Sequence, residues 1–491
     1  MRIRGTASRV TSTFTLAAAA ALALSGCSSS TPEPSGDPVD ALTLSQSITE
    51  DALIAHLEAL EKIAADNDGN RAANTPGYDA SVDYVAQVLR DKGFDVQTPE
   101  FDYHLFSTND VSLVSAGNDL TVAALGFSPS TGPDGITARI VPVPVDDTPG
   151  CEASDYEGLD VTGAIVLVDR GVCPFSAKQD IAAEQGAAAV LVANNEEGRL
   201  IGGTLGEHDA GKIPTGGISQ EDGAALRAAP GEVTLVLDTV IDSSTSRNVI
   251  AQTKTGATDN VVMVGAHLDS VEDGPGINDN GTGVAAVLET AVQLGAEPNI
   301  TNAVRFAFWG VEELGLVGSA EYVEGLSDDE RNDIALYLNF DMLGSENAGY
   351  LAYDGDDSDE FGEGPGPEGS AGIERTFLEF YESQGIDADG TDFDGRSDYG
   401  PFIEYGIPSG GVFSGADDVK TAEQAEKWGG EADADFDRNY HTPQDTLENV
   451  DRAAFLMNSR AVAYSVGAYA ASVDGPNGVP TGEARVQART E

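Results

Sequence analysis

Basic residues are scarce in this chain of 491: 26 Lys and Arg stand against 83 Asp and Glu, a formal net charge of −57. A polyphosphate would be repelled by such a surface rather than steered to it, which excludes a nucleic-acid partner. The acidity says nothing about fold and reads as a solvated surface that keeps a protein soluble. The N-terminal apolar run, Phe14 to Leu24, is too short and too Ala-rich for a membrane span. Histidine and cysteine are rare, at five and three, so the position of each one is informative. Hydrophobic residues are not lacking: at 41% they can fill one large core or two moderate ones. Because single domains stop growing near roughly 250–300 residues, at least two are expected.

Arg2, Arg4 and Arg9 form a basic region ahead of the apolar run, so residues 1–27 read as an export signal. The run closes on Leu24, Ser25, Gly26 and Cys27, which resembles the bacterial lipobox. There the Cys is acylated and becomes the mature N-terminus, so an outward-facing lipid anchor to the cell membrane, or release outside the cell, is expected. Residues 28–41 form a Ser/Pro-rich tether. With Cys27 lipidated, Cys151 and Cys173 remain. Outside the reducing cytoplasm such a pair most simply forms a disulfide; the rival, a zinc site, would have two thiols with no His close by.

From Leu42 to Gln97 apolar residues recur at helical spacing, predicting two helices, the second stopped at Gly93. Between Gly132 and Asp242 short β-rich runs surround one helical stretch, Ser176 to Gln185, predicting a separate small domain. From Asn248 onward apolar β runs alternate with helical segments, the pattern of strands buried on both faces of a largely parallel sheet. No repeat of fixed period is present. The fold class expected is α/β, a mostly parallel central sheet flanked by helices, with a small β-rich α/β domain inserted.

Five metal-type residues follow apolar runs of that second half. His267 ends one, with Asp269 two residues on, on the same side of an extended chain and able to orient the imidazole. Asp279 precedes a helix start at Gly281, Thr282 and Gly283, where an ordinary N-cap is the plainer reading. Glu312 and Glu313 follow the run ending in Trp309; Asp341 follows LYLNF; Tyr440 and His441 precede a second helix-start pattern. Adjacent carboxylates at the mouth of a buried strand are costly unless a cation or solvent compensates them. One acidic strand end is a turn. Five at successive strand ends predict a site, because open parallel sheets bind ligands at their carboxyl edge. Two imidazoles and three carboxylates suit zinc, and one carboxylate can bridge two ions.

The middle segment resembles the protease-associated domain, through Gly150 and Cys151, the run 166–195 and IPTGGIS at 213–219. That resemblance implies an insertion, with Leu42 to about Ser130 packing against the C-terminal half. The series HLD, NDNGTG, EELG, NFDM and YHTPQDT resembles the co-catalytic dizinc aminopeptidases of the aminopeptidase Y and S, or leucyl aminopeptidase, type. It implies a zinc-peptidase fold and two zinc ions: His267 and Asp341 on one, Glu313 and His441 on the other, Asp279 between them. It further implies Glu312 as general base, Asp269 fixing His267, Tyr440 as an oxyanion donor and, from the run Gly395 to Asp398, Arg396 as a substrate contact. The domains expected are 1–27, 28–41, 42–130, 131–243 (inserted), 244–475 (catalytic) and a tail, 476–491. Substrates would be peptides with a free N-terminus bearing large apolar residues. Many secreted relatives flank the last His with a disulfide; Asn439 and Gln444 stand there in this chain. The acidic stretch 354–369 lacks the calcium-loop spacing and reads as a solvated loop, so Ca2+ has no motif behind it. A carboxypeptidase, a single-zinc glutaminyl cyclase and a non-catalytic peptide-binding lipoprotein are the competing readings. Oligomeric state is not legible.

Overall fold

A computed structural model describes residues 35–198, 200, 203–359 and 364–490. The export signal, Cys27 and the first residues of the tether lie outside them. Two eight-stranded sheets organise the chain. In the first, the strand Ala257–His267 lies between Asn302–Trp309 and Ile334–Phe340, parallel to both, and Ser409–Phe413 adds a fourth parallel strand. Val249–Gln252 and Asp95–Gln97 extend one side antiparallel; Leu351–Tyr353 and Asp389–Thr391 close the other. The run Ile334–Phe340 is buried along its whole length, as expected of a strand covered by helices on both faces.

The N-terminal segment folds as three helices rather than two. Ala41–Ser47 is capped by Asp40, and Glu50–Asp66 starts anew at Thr49, whose side chain accepts from the Ala52 N–H. Pro76–Asp91 follows, with Pro at its first turn. The first helix lies against Arg452–Ala471 at Gly467, where a Cβ would come within 2.8 Å of the Ala41 Cα; only glycine permits that approach.

The inserted domain is larger than expected. The strand Glu100–Ser115 pairs antiparallel with Glu232–Arg247 along nearly its full length, and Val122–Ala124 pairs with Thr215–Ile218. Residues 100–124 are thus part of the second sheet, and the strand Glu100–Ser115 also touches the helix Val317–Glu324 of the C-terminal half. Their polar alternation hides a ribbon whose partner lies more than a hundred residues later. Parallel strands Ile136–Pro142, Ile165–Asp169, Ala189–Ala193 and Thr215–Ile218 form the rest of that sheet, with helices Phe175–Glu184 and Gln220–Ala228. Cys151 and Cys173 are joined by a disulfide, and the buried Lys178 Nζ lies 3.4 Å from the Cys151 Sγ.

The acidic stretch from 354 does not begin in solvent. Asp354 is 2% exposed and accepts from the Ser358 and Asp359 N–H groups, and the buried Glu374 accepts from Gly355 N–H. Burial, then Asp354, raises the Glu374 pKa to about 7. Among the described residues no helix is long and apolar enough to cross a membrane.

Candidate metal centre

Three adjacent parallel strands deliver the site. His267 is the last residue of the central one; Asp341 follows Phe340 on one neighbour; Glu312 and Glu313 follow Trp309 on the other. The chain leaves two of these strands through left-handed backbone at non-glycine residues, Val311 (φ 63°) and Met342 (φ 53°), and His441 itself has φ 57°. Such conformations cost free energy and persist where the surroundings over-determine them.

Asp279 lies at the centre of the cluster. Its Oδ1 is 3.1 Å from His267 Nε2, and its Oδ2 is 3.2 Å from His441 Nε2. His267 Nε2 is also 3.3 Å from Asp341 Oδ1, and His441 Nε2 is 3.0 Å from Glu313 Oε2. Two triads result, His267–Asp279–Asp341 and Asp279–Glu313–His441, each with its offered atoms within 4.8 Å of one another. Glu313 Oε1 and Asp341 Oδ1 are shut from water without a hydrogen-bond donor. Buried carboxylate oxygens left bare beside two imidazoles fit divalent cations, and this nitrogen and oxygen set fits zinc.

The local field is strong. Burial opposes charge on His267, yet Glu312, Asp341, Asp269 and Asp279 together raise its pKa well above the ordinary range. Burial likewise opposes charge on His441, but its hydrogen bonds to Asp279 and Glu313 push it up to about 10. Burial raises Glu312 well above a normal carboxyl, with His267 opposing and Asp341 and Asp398 adding to the rise. Glu313 is raised to about 7 by burial and then by Asp279. Tyr440 is raised too, by burial first and then Asp279 and Asp341, so its phenol keeps its proton. Its ring stacks on His441 at 3.8 Å.

Asp269, fully buried, touches His267 and the strand end beside it. The His267 Nδ1 meets the Asp269 main-chain carbonyl at 3.1 Å and its carboxylate only at 3.7 Å. That carboxylate also accepts the N–H groups of Glu312 and Glu313, at 3.1 and 3.3 Å, and so fixes both residues at once.

Several supporting residues escaped sequence reasoning. Asp445 accepts the N–H groups of Asn278 (2.6 Å) and Asp279 (3.0 Å), and burial raises its pKa to about 8. Its only sequence signal was its place in the last motif. Ser397 donates to Asp341 Oδ2 at 2.7 Å and accepts from Asn339 at 2.8 Å. Arg71, fully buried, reaches from the N-terminal segment to donate to the carbonyls of Leu268, Pro275 (3.0 Å) and Gly276 (2.6 Å). Nothing local marks a lone Arg between two helices.

The loop around His441 is held by hydrogen bonds. Asn439 N–H donates to Asp437 Oδ1 at 2.8 Å, and Asn449 donates to the Gln444 carbonyl at 2.8 Å. Gly274 packs so closely on this loop that a Cβ would lie 2.2 Å from the Thr442 carbonyl oxygen.

A cavity of about 510 Å3 opens over the cluster. Besides Asp279, Glu312, Glu313, Asp341, Tyr440 and His441, it is lined by Arg396, whose side chain is largely exposed and lies 3.7 Å from Asp417.

The model of Peptidase family M28 matches residues 248–466, and that of the PA domain residues 136–226. A probable lipoprotein aminopeptidase of Mycobacterium tuberculosis, LpqL, is 56% identical over 443 residues, covering 90% of this chain and 89% of its own. Leucine aminopeptidase 2 of Arthroderma otae is 42% identical over 458 residues, covering 92% and 90%. Among solved structures, an aminopeptidase from Aneurinibacillus sp. strain AM-1 superposes with a TM-score of 0.71 at 27% identity, covering 90% of this chain and 99% of its own. BSAP, a zinc aminopeptidase from Bacillus subtilis, does so with a TM-score of 0.58 at 26% identity, covering 89% and 99%.

Proposed function

This chain belongs to peptidase family M28 and is an aminopeptidase carrying a PA domain, and from that premise we propose that it is an exported, lipid-anchored enzyme using two zinc ions to remove large apolar residues from free peptide N-termini. One observation carries the two-ion reading: Asp279 faces His267 with one carboxylate oxygen and His441 with the other. A bridging carboxylate needs that disposition. His267 and Asp341 would hold one ion, Glu313 and His441 the second. Bound zinc supplies Lewis acidity, which acidifies water and polarises the scissile carbonyl.

The chain's own groups do the rest. Glu312 takes the proton from the attacking water and delivers it to the leaving nitrogen; a carboxyl with its pKa raised by burial suits both halves of that transfer. The Tyr440 O–H, kept protonated, donates to the oxyanion as it forms. Asp269 holds Glu312 and Glu313 in register through their amides. Arg396 contacts substrate at the rim. The acidic cavity attracts an α-ammonium and disfavours a substrate carboxylate, which favours aminopeptidase over carboxypeptidase action. Leu316, Met342 and Phe413 in the wall support the apolar preference, as do relatives named leucine aminopeptidase. Anchoring rests on Cys27 and on the lipoprotein name of the mycobacterial relative.

The test is a panel of N-free and N-blocked peptides with wild type and Glu312→Ala, together with metal analysis. Blocking the amine should abolish turnover. Glu312→Ala should keep about two zinc per chain and lose on the order of 10²–10⁴-fold in kcat. Equal cleavage of blocked peptides, or one zinc per chain, overturns the reading.

A further inference from the structure

We propose that the amino-terminal edge of the peptidase sheet is the face this protein turns to a lipid bilayer, so that the metal centre and the PA domain point away from the membrane. The inference rests on the Cys27 anchor proposed above and adds the orientation that the anchor imposes.

The described chain begins by tying its first residues to that edge. Ser35–Pro38 pairs in parallel with Pro298–Asn299, the Val39 N–H donates to the Asn299 carbonyl at 3.0 Å, and the Asn299 side chain donates to the Gly36 carbonyl at 3.3 Å. Asn299 stands just before the strand Asn302–Trp309, whose first residue pairs with Ala257 at the start of the central strand. The cluster residues His267, Glu312, Glu313 and Asp341 lie at or just past the opposite ends of these parallel strands. The C-terminal helix Gly482–Ala488 sits at the first edge too. Its Arg485 donates to the carbonyls of Asp259 (3.0 Å), near the start of the central strand, and Asn332 (2.7 Å), just before Ile334–Phe340.

The PA domain leaves from the other edge. One of its connections follows Gln97, which pairs with Ile250; the other precedes Val249, which pairs with Phe308, one residue from the end of Asn302–Trp309. Both connections therefore emerge beside the metal centre.

Tether length decides which way the molecule can stand. Cys27 is eight residues from Ser35, and by whatever path, eight residues span at most about 26–29 Å. The eight residues of Asn302–Trp309 alone measure about 26 Å along the strand. A bilayer laid on the metal-centre edge would stand farther than this from Asn299, because the loops beyond Trp309 and the PA domain add their own thickness. The tether falls short. Charge does not draw that edge down either, since a surface this acidic is repelled by an anionic bilayer. Held in this way, the enzyme takes peptides from the space beyond the membrane and spares amines at the bilayer surface.

The test uses the full-length acylated protein on vesicles of phosphatidylcholine and phosphatidylglycerol that carry an acceptor dye on the headgroup. A donor dye is placed on Val486→Cys, Leu314→Cys or Val145→Cys, exposed sites on the C-terminal helix, beside Glu313 and in the PA domain. Energy transfer to the bilayer should be severalfold greater from position 486 than from 314 or 145. Inserting about 40 Gly/Ser residues between Ser30 and Thr31 lengthens the reach severalfold. That variant should level the three signals and raise turnover of a peptide held at the vesicle surface by a short C-terminal lipid link. Equal transfer from all three positions with the native tether, stronger transfer from 314, or unequal transfer that the long tether leaves unchanged, overturns the proposal. A Cys27 without acyl mass, or wild type that stays off the vesicles, instead brings down the anchored reading on which it stands.

Discussion

The two sheets of this protein end in the same kind of edge and use it differently. In the PA sheet, parallel strands Ile165–Asp169 and Ala189–Ala193 finish at a crevice of about 450 Å3, where Asp169 meets the guanidinium of Arg227, which also donates to the Val143 carbonyl. In the peptidase sheet, parallel strands finish at His267, Glu312, Glu313 and Asp341, where two carboxylate oxygens are buried bare. Topology offers both edges to a ligand. What separates them is charge: the first closes on its own cation, and the second gathers acids that only an external cation completes. A carboxyl edge is a candidate site where its charges are left uncompensated.

Changes to the compensation on each side would sharpen or break that contrast. The largest effect is expected at Asp279. Asp279→Ala should lower bound zinc well below two per chain and reduce kcat/KM by roughly 10³-fold or more, since both triads lose their shared member. Near-normal zinc and activity would show that the edge is not organised around this carboxylate.

Arg71→Met comes next, an effect on stability first. The substitution leaves the carbonyls of Leu268, Pro275 and Gly276 without their donor and removes a buried cation beneath Asp269 and Asp445. A loss of about 3–5 kcal/mol is expected from denaturant unfolding, by analogy with breaking a buried charge network. A loss under 1 kcal/mol would mean that the loop holds without its clamp.

The smallest effect belongs to the PA edge. Arg227→Met should cost about 0–1 kcal/mol, because both partners of the Asp169 pair are partly exposed, and kcat should not change. Zinc binding gained at Asp169 in that variant would contradict the view that ligand number as well as free charge defines the peptidase edge.

The contrast also marks what could be read from residues alone. The strands leading to the site were legible because each is a continuous apolar run with a polar residue of metal-binding type at or just beyond its end, and the order of such runs implies a parallel sheet. The strand Glu100–Ser115 was not, since its partner, Glu232–Arg247, comes more than a hundred residues later at the far end of the same domain, and its exposed face is polar. The helix Gln220–Ala228 was missed for a similar reason: it is short, and the β-rich texture around it masked its capping Ser219.

By itself, the order of residues determined the class of fold, the insertion of a second domain and the identity of the groups that gather at one sheet edge, because these follow from periodicity, strand-end chemistry and family motif. Tertiary structure alone decided what holds those groups: Asp445 under the Asp279 backbone, Ser397 on Asp341, Arg71 beneath the loop after His267, and the Asp269 carboxylate on the amides of Glu312 and Glu313. Such contacts join residues dozens to hundreds of positions apart through single polar atoms. They leave no periodic trace in sequence, since a hydrogen bond depends on where two backbones meet in space and not on any local pattern that brings them there.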